Sequence, residues 1–228
     1  MPAVVPPGIT RYGYRDAISG FFEFPTENAR RVLPRGFEPV EVHHGTSILA
    51  VTVFDFNESE VGEYGEVVYA VIVPPLVRDT RLPKSAFFPW QVATTTKAAR
   101  EHAIGRWHLP HWMDDVKVDF IREKGKTTAK VEADGAPALE LVVTDHSWQP
   151  VSHLYQSFMR DDQGSYLANI VMEGQQSEHE EETGRIVLHD HAFNKDLMID
   201  EVYEVPFREL WMRDGMQTFD PLIQLQTA

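Results

Sequence analysis

Residues 105–112 read Gly-Arg-Trp-His-Leu-Pro-His-Trp, which puts two histidines and two tryptophans in eight positions. Histidine is the side chain whose charge changes near neutral pH, so a histidine such as His111 has the chemistry of a proton shuttle. Its plainer role would be to cap the carbonyls ending the preceding helix, where positive charge is favoured. Trp107 and Trp112 suit core packing as well as the wall of a pocket. His189-Asp190-His191 is the tightest of the other histidine clusters. On a strand, His189 and His191 would share a face and could ligate a metal, but two hydrogen-bonded surface histidines fit the same pattern. His43-His44 precedes Gly45 and reads as a turn. Glu178, Glu180, Glu181 and Glu182 surround His179 in a run that fits a solvated loop.

The elements that must position these residues follow from the apolar spacing. Residues 94–107 form the best predicted helix, with Ala99, Ala103 and Trp107 on one face, and Pro110 ends it. A shorter helix begins at Pro25-Thr26-Glu27-Asn28, with Thr26 as a candidate cap, and stops before Pro34. Strands are expected over 19–24, 37–43, 46–56, 66–73, 87–93, 116–121, 127–133, 138–144, 153–159, 166–172 and 185–189. Lys124-Gly125-Lys126 supplies a hairpin turn. Residues 202–211 read as a less regular strand, since Pro206 suits only an edge or a bulge. So many strands with few helices indicate a mainly β, antiparallel fold that closes or sandwiches itself. No repeat or low-complexity linker divides residues 1–228, which are expected to form one domain.

Bulk properties exclude several functions. A net charge of −14 makes nucleic acid a poor partner. With no cysteine there are no disulfides, thiolate nucleophiles or zinc–thiolate sites. No phosphate loop, dinucleotide fingerprint, His-Glu-x-x-His helix or Gly-x-Ser-x-Gly elbow is present, so no cofactor and no metal is expected. The proline-rich N-terminus is expected to be extended and lacks the charged region of a secretory signal. The apolar run 67–77 is too short to span a bilayer, so no membrane partner and a cytoplasmic location are expected.

Three segments, in order, resemble the acetoacetate decarboxylase family over residues 12–120. Tyr14-Arg15-Asp16 followed by Asn28–Pro34 is similar to its arginine strand, short helix and proline stop. Gly62-Glu63-Tyr64-Gly65-Glu66 is similar to its Gly-x-Tyr-x-Glu segment. Trp107-His108-Leu109-Pro110-His111 is similar to its Trp-x-Leu-Pro-Lys turn, except that histidine replaces the lysine.

The resemblance implies a cone-shaped antiparallel β-barrel around a central cavity, flanked by a few helices, in a homo-oligomer. It places Arg15, Glu66 and His111 together in the cavity. Arg15 would clamp a substrate carboxylate, while Glu66 and His111 would exchange protons. Trp107, Trp112 and Lys117 are candidate pocket residues, Lys117 as a displaced Schiff-base lysine. The family's imine chemistry needs a lysine with a lowered pKa, and here His111 and Trp112 occupy those positions. A second acidic position of the family falls on Val51. The expected function is acid–base chemistry on a small keto, hydroxy or enol carboxylic acid; the alternative is a barrel that binds a small molecule without catalysis.

Overall fold

The computed structural model describes residues 8–77 and 80–225. The proline-rich segment 1–7 lies outside the described residues. In chain order the first elements are β1 (Thr10–Pro25), α1 (Thr26–Val32), β2 (Glu41–His43), β3 (Thr46–Glu58), β4 (Tyr64–Val73), β5 (Ser85–Thr94) and α2 (Lys97–Trp107). There follow β6 (Val116–Glu123), β7 (Lys126–Ala133), β8 (Ala136–Thr144), β9 (Gln149–Asp161), β10 (Gly164–His179), β11 (Arg185–Leu188), β12 (Arg208–Phe219) and β13 (Ile223–Leu225).

Seven strands, in the order β1-β12-β10-β9-β5-β4-β3, close into a barrel because β3 pairs back onto β1. β1 makes this possible by pairing on both edges. It runs against β12 from Thr10↔Phe219 to Phe21↔Arg208, and against β3 from Gly13↔Glu58 to Pro25↔Thr46. The mainly β barrel expected from the sequence is therefore present. One seam departs from the antiparallel pattern: β5 and β9 pair in parallel at Ser85–Phe87.

Successive residues of a strand point to opposite faces, so each barrel strand serves two environments. Ala17, Ser19 and Phe21 of β1 face the interior, whereas Ile18 and Phe22 pack outside. On β3, Thr52 and Phe54 face in while Leu49, Val51 and Val53 face out; on β4, Glu66, Val68 and Ala70 face in while Val67, Tyr69 and Val71 face out. The outward set meets a second sheet, β11-β8-β7-β6, through Ala129, Val131, Leu139, Leu141 and Ile186. The main apolar core thus lies between barrel and sheet, where each fully buried Leu, Ile or Val stabilises by about 1.5–3 kcal/mol. A polar bolt crosses the same junction. The buried Asp16 carboxylate accepts from Trp211 Nε1 (2.7 Å) and Arg122 Nε (2.6 Å), and Arg122 Nη2 reaches Asp55 (2.6 Å).

Several boundaries differ from those read in the sequence. The strand expected at 19–24 extends over all of β1, because pairing on both edges overrides its polar N-terminal half. The final barrel strand is Arg208–Phe219 rather than 202–211, and Pro206 precedes it instead of interrupting it. α2 starts at Lys97: Thr94 belongs to β5, and the Thr96 hydroxyl caps the helix by accepting from Ala99 N. Thr26 is not a cap; its hydroxyl bonds Ser47 at 2.8 Å. Only Glu41–His43 of the expected strand 37–43 is extended in a ladder. In the acidic run Glu178 belongs to β10 and pairs with Lys84, whereas Glu180, Glu181 and Glu182 are exposed in the loop that follows, as expected. Among the described residues no helix is long and apolar enough to cross a membrane.

Gly65 lies where β4 meets β6, and a Cβ there would stand 2.8 Å from Val118 Cβ and 3.1 Å from Thr95 Cγ2. Gly65→Ala is expected to cost about 1–3 kcal/mol by overpacking. A lower urea midpoint at unchanged slope would register it; an unchanged midpoint would show that β6 yields freely.

Candidate active site

The barrel interior holds a cavity of ≈ 130 Å³. Its wall is mostly apolar, with Phe54, Val68, Val92, Ile170, Met172 and Phe219 among its side chains, and among the described residues no lysine or arginine lines it. Two of its polar groups satisfy each other: Ser19 Oγ and Thr52 Oγ1 lie 2.8 Å apart. Gln217 Nε2 rests on Met172 Sδ at 3.6 Å.

Glu66 is the titratable carboxyl in this wall. β4 carries it inward with the same alternation that brings in Val68 and Ala70. It borders the cavity's own space but is enclosed by protein, and among the described residues no hydrogen bond satisfies it. Burial pushes its carboxyl up to about 8, because the charged form would lose its hydration without gaining a partner. Near neutral pH Glu66 is therefore mostly a proton donor, and an appreciable fraction becomes a base slightly above neutrality.

His111 does not line the cavity, and its link to Glu66 runs through Thr94. Its Nδ1 lies 2.6 Å from the Trp112 carbonyl, which only accepts, so Nδ1 carries the proton. Nε2 is then an acceptor, and the single Thr94 hydroxyl hydrogen is shared between it at 3.2 Å and the Thr96 carbonyl at 3.3 Å; Thr94 is the ladder partner of Glu66 across β4 and β5. Burial lowers the His111 pKa and keeps the ring neutral.

The rest of the 105–112 segment explains that placement. α2 ends at His108, whose left-handed backbone (φ 53°) lets its N–H reach the carbonyls of Ala103 and Ile104. Asp161 holds the His108 ring at 2.5 Å and Tyr166 stacks on it at 4.1 Å, which steadies an uncommon conformation for a non-glycine residue. Leu109 then turns into the barrel and lines the cavity, a role the sequence reading missed. Trp112 N bonds the Val92 carbonyl at 2.8 Å and stitches the segment to β5.

Other expected site residues lie elsewhere. Arg15 would face inward by parity with Ala17 and Ser19. A bulge between Tyr14 and Asp16 instead turns it outward, where it pairs with Asp55 (3.1 Å) and Glu63 (2.5 Å) and stays 45% exposed. Lys117 is 75% exposed on the second sheet beside Glu132. Val51 faces the outer core, and its neighbour Thr52 holds the cavity position. Trp107 is buried behind the wall: its Nε1 donates to Tyr12 Oη (2.6 Å) and its ring backs Phe219 at 4.7 Å. Trp112 packs on Phe193 at 5.5 Å, outside the barrel. His189 and His191 do not share a strand, as β11 ends at Leu188 and His191 caps a short turn by accepting from Phe193 N. Among the described residues no group of three or more His, Asp or Glu is placed to hold a metal.

No family model and no curated protein matches the sequence. Solved structures match the fold over nearly its whole length, and they define its class. The acetoacetate decarboxylase from Legionella pneumophila superposes with a TM-score of 0.64 at 16% identity, covering 100% of this chain and 92% of that one. An acetoacetate decarboxylase-like enzyme from Sphingomonas wittichii RW1 gives 0.62 at 14%, covering 100% and 97%. The enduracididine biosynthesis enzyme MppR, complexed with pyruvate, gives 0.63 at 12%, covering 98% and 92%. The chain has the acetoacetate decarboxylase-like fold.

The Glu66 carboxyl links stability to pH. The folded protein keeps this proton up to about pH 8, whereas the ordinary value for glutamic acid is 4.5. The stability it contributes is full below the ordinary value and is lost as the pH rises through the folded one, by at most about 5 kcal/mol. Glu66→Gln should therefore denature later than the parent at about pH 9, and the gap should close towards about pH 4.5. A gap that does not vary with pH would mean that Glu66 ionises normally.

Proposed function

We propose that this chain is an acid–base enzyme that moves a proton on a small carbonyl compound inside the barrel, with Glu66 taking and returning that proton. The observation that carries this reading is an unpartnered carboxyl, pushed up to about 8, in an apolar cavity. A cavity of ≈ 130 Å³ is close to the roughly 150 Å³ that accommodates benzene, so the substrate is a compact molecule.

Its charge follows from the wall. An ionised carboxylate substrate would find no lysine or arginine there among the described residues and would meet Glu66 instead. Arg15, the expected clamp, is engaged by Asp55 and Glu63 outside. The substrate is therefore uncharged where it meets the cavity, a keto or enol compound rather than a carboxylate anion. The reaction is proton transfer next to the carbonyl. Ionised Glu66 removes a proton from the α-carbon, the C–H electron pair passes to the carbonyl oxygen as an enolate, and protonated Glu66 returns the proton to carbon. General acid–base catalysis of this kind contributes on the order of 10²–10⁴-fold. His111 acts as a positioning residue, orienting Thr94 beside Glu66.

Exchange of α-hydrogens of small ketones with deuterium, followed by NMR, tests this reading. The rate should rise with pH through about 8 and then level off. Glu66→Gln should lower it by about 10²-fold or more, while Arg15→Ala should leave it within about twofold, as expected for a surface ion pair. His111→Ala should slow exchange without moving its pH midpoint. Equal rates in the parent and Glu66→Gln would end the proposal and leave a barrel that binds without catalysis.

A further inference from the structure

We infer that Tyr155 binds a second oxygen of the substrate, so that the substrate carries oxygens at both ends of an apolar spacer. The inference rests on the reading of Glu66 as the proton-transfer group and adds the recognition of the rest of the molecule.

Tyr155 lines the cavity, and its hydroxyl is buried with no hydrogen-bond partner among the described residues. Of the buried side-chain atoms left in that state, those of Trp112, Gln176 and His189 belong to residues outside the cavity wall. A buried hydroxyl without a partner is destabilising, so its presence in a pocket needs an occupant to explain it. The described surroundings offer none. Phe87 packs beside the ring at 6.0 Å, and the His153 ring meets it edge-on at 6.2 Å. Burial and the nearby Glu178 carboxylate raise the phenol's pKa, which keeps its proton available for donation. The matching ligand group is a neutral acceptor: a ketone, ester or hydroxyl oxygen.

The ladders place this donor away from Glu66. Glu66 lies across from Thr94, the last residue of β5, while Tyr155 pairs with Ser85, the first. Between them the wall is apolar, through Val68, Ala70, Pro89 and Val92. Ser157 lies next along the same face as Tyr155 and supplies a second hydroxyl there. One end of the cavity therefore holds a proton-transfer group, the other a hydrogen-bond donor, and the space between admits hydrocarbon.

Calorimetry with two pairs of neutral probes tests this. Methyl levulinate and methyl hexyl ketone have equal numbers of heavy atoms but differ in the distal ester. Diacetone alcohol and methyl isobutyl ketone differ only by a hydroxyl on a shorter spacer. In at least one pair the probe with the second oxygen should bind about tenfold or more tightly. Tyr155→Phe should remove that preference, leave the monoketone's affinity unchanged, and melt no lower than the parent when empty, a combination that a purely structural tyrosine would not produce. Glu66→Gln should lose exchange yet keep the preference, which separates the two readings: full exchange in that variant overturns the role of Glu66 and leaves Tyr155 standing. Absence of binding in both pairs, equal binding within each pair, or a preference that survives Tyr155→Phe would overturn the inference; a water held permanently at Tyr155 gives the second of these results.

Discussion

The pairing of β1 with both β3 and β12 is the constraint on which the rest depends. It closes the barrel, and closure turns the two-residue period of every strand into a division between cavity and core. Each strand then contributes to two environments at once. Val67 and Tyr69 build the outer core because Glu66 and Val68 face inward. A shift of one residue would exchange the two sets and place a carboxyl in the apolar junction. Register and site chemistry are thus a single constraint, and the outer packing enforces both.

Charge is distributed by the same division. Asp16, Arg122, Asp55, Arg15 and Glu63 form a connected set on the outer side, running from the buried Asp16 to the exposed Glu63. Its position, across the junction of barrel and second sheet, lets the buried member be satisfied by Trp211 and Arg122 while the outer members remain hydrated. The interior receives none of these cations. That exclusion makes the Glu66 proton hard to remove, because an arginine beside the carboxyl would favour ionisation and lower its pKa.

How much was legible in the sequence follows from the same geometry. Strand content was readable from runs such as the Val-, Ile- and Tyr-rich 66–73, whereas the barrel and the inward Glu66 were legible only through the family resemblance, whose Gly-x-Tyr-x-Glu segment falls on the start of β4. Gly65 in that segment has a packing reason that spacing alone does not reveal, the approach of Val118. Arg15 was misplaced because one bulge residue reverses parity, and nothing in Tyr14-Arg15-Asp16 marks a bulge. Val51 was misplaced by a single position, which in a strand is the whole difference between core and cavity. Lys117 belongs to a second sheet, and alternation marks its strand without telling which sheet that strand joins. Leu109 carries no sequence signal for the cavity, because it is the left-handed turn at His108 that aims it into the barrel.

Tyr155 and Glu66 share one physical property: each is a polar group in an apolar wall with no hydrogen bond among the described residues. Such groups weaken a fold unless packing elsewhere offsets them. Here the offset lies outside the barrel, where Leu139, Leu141 and Ile186 pack against the outward residues of β1, β3 and β4. The interior is therefore freed from the task of being the main core. A barrel whose inside had to supply that stability would fill it with leucine and isoleucine and leave neither a cavity nor a carboxyl with a raised pKa. The second sheet, far from the chemistry, is in this sense what permits the site to exist.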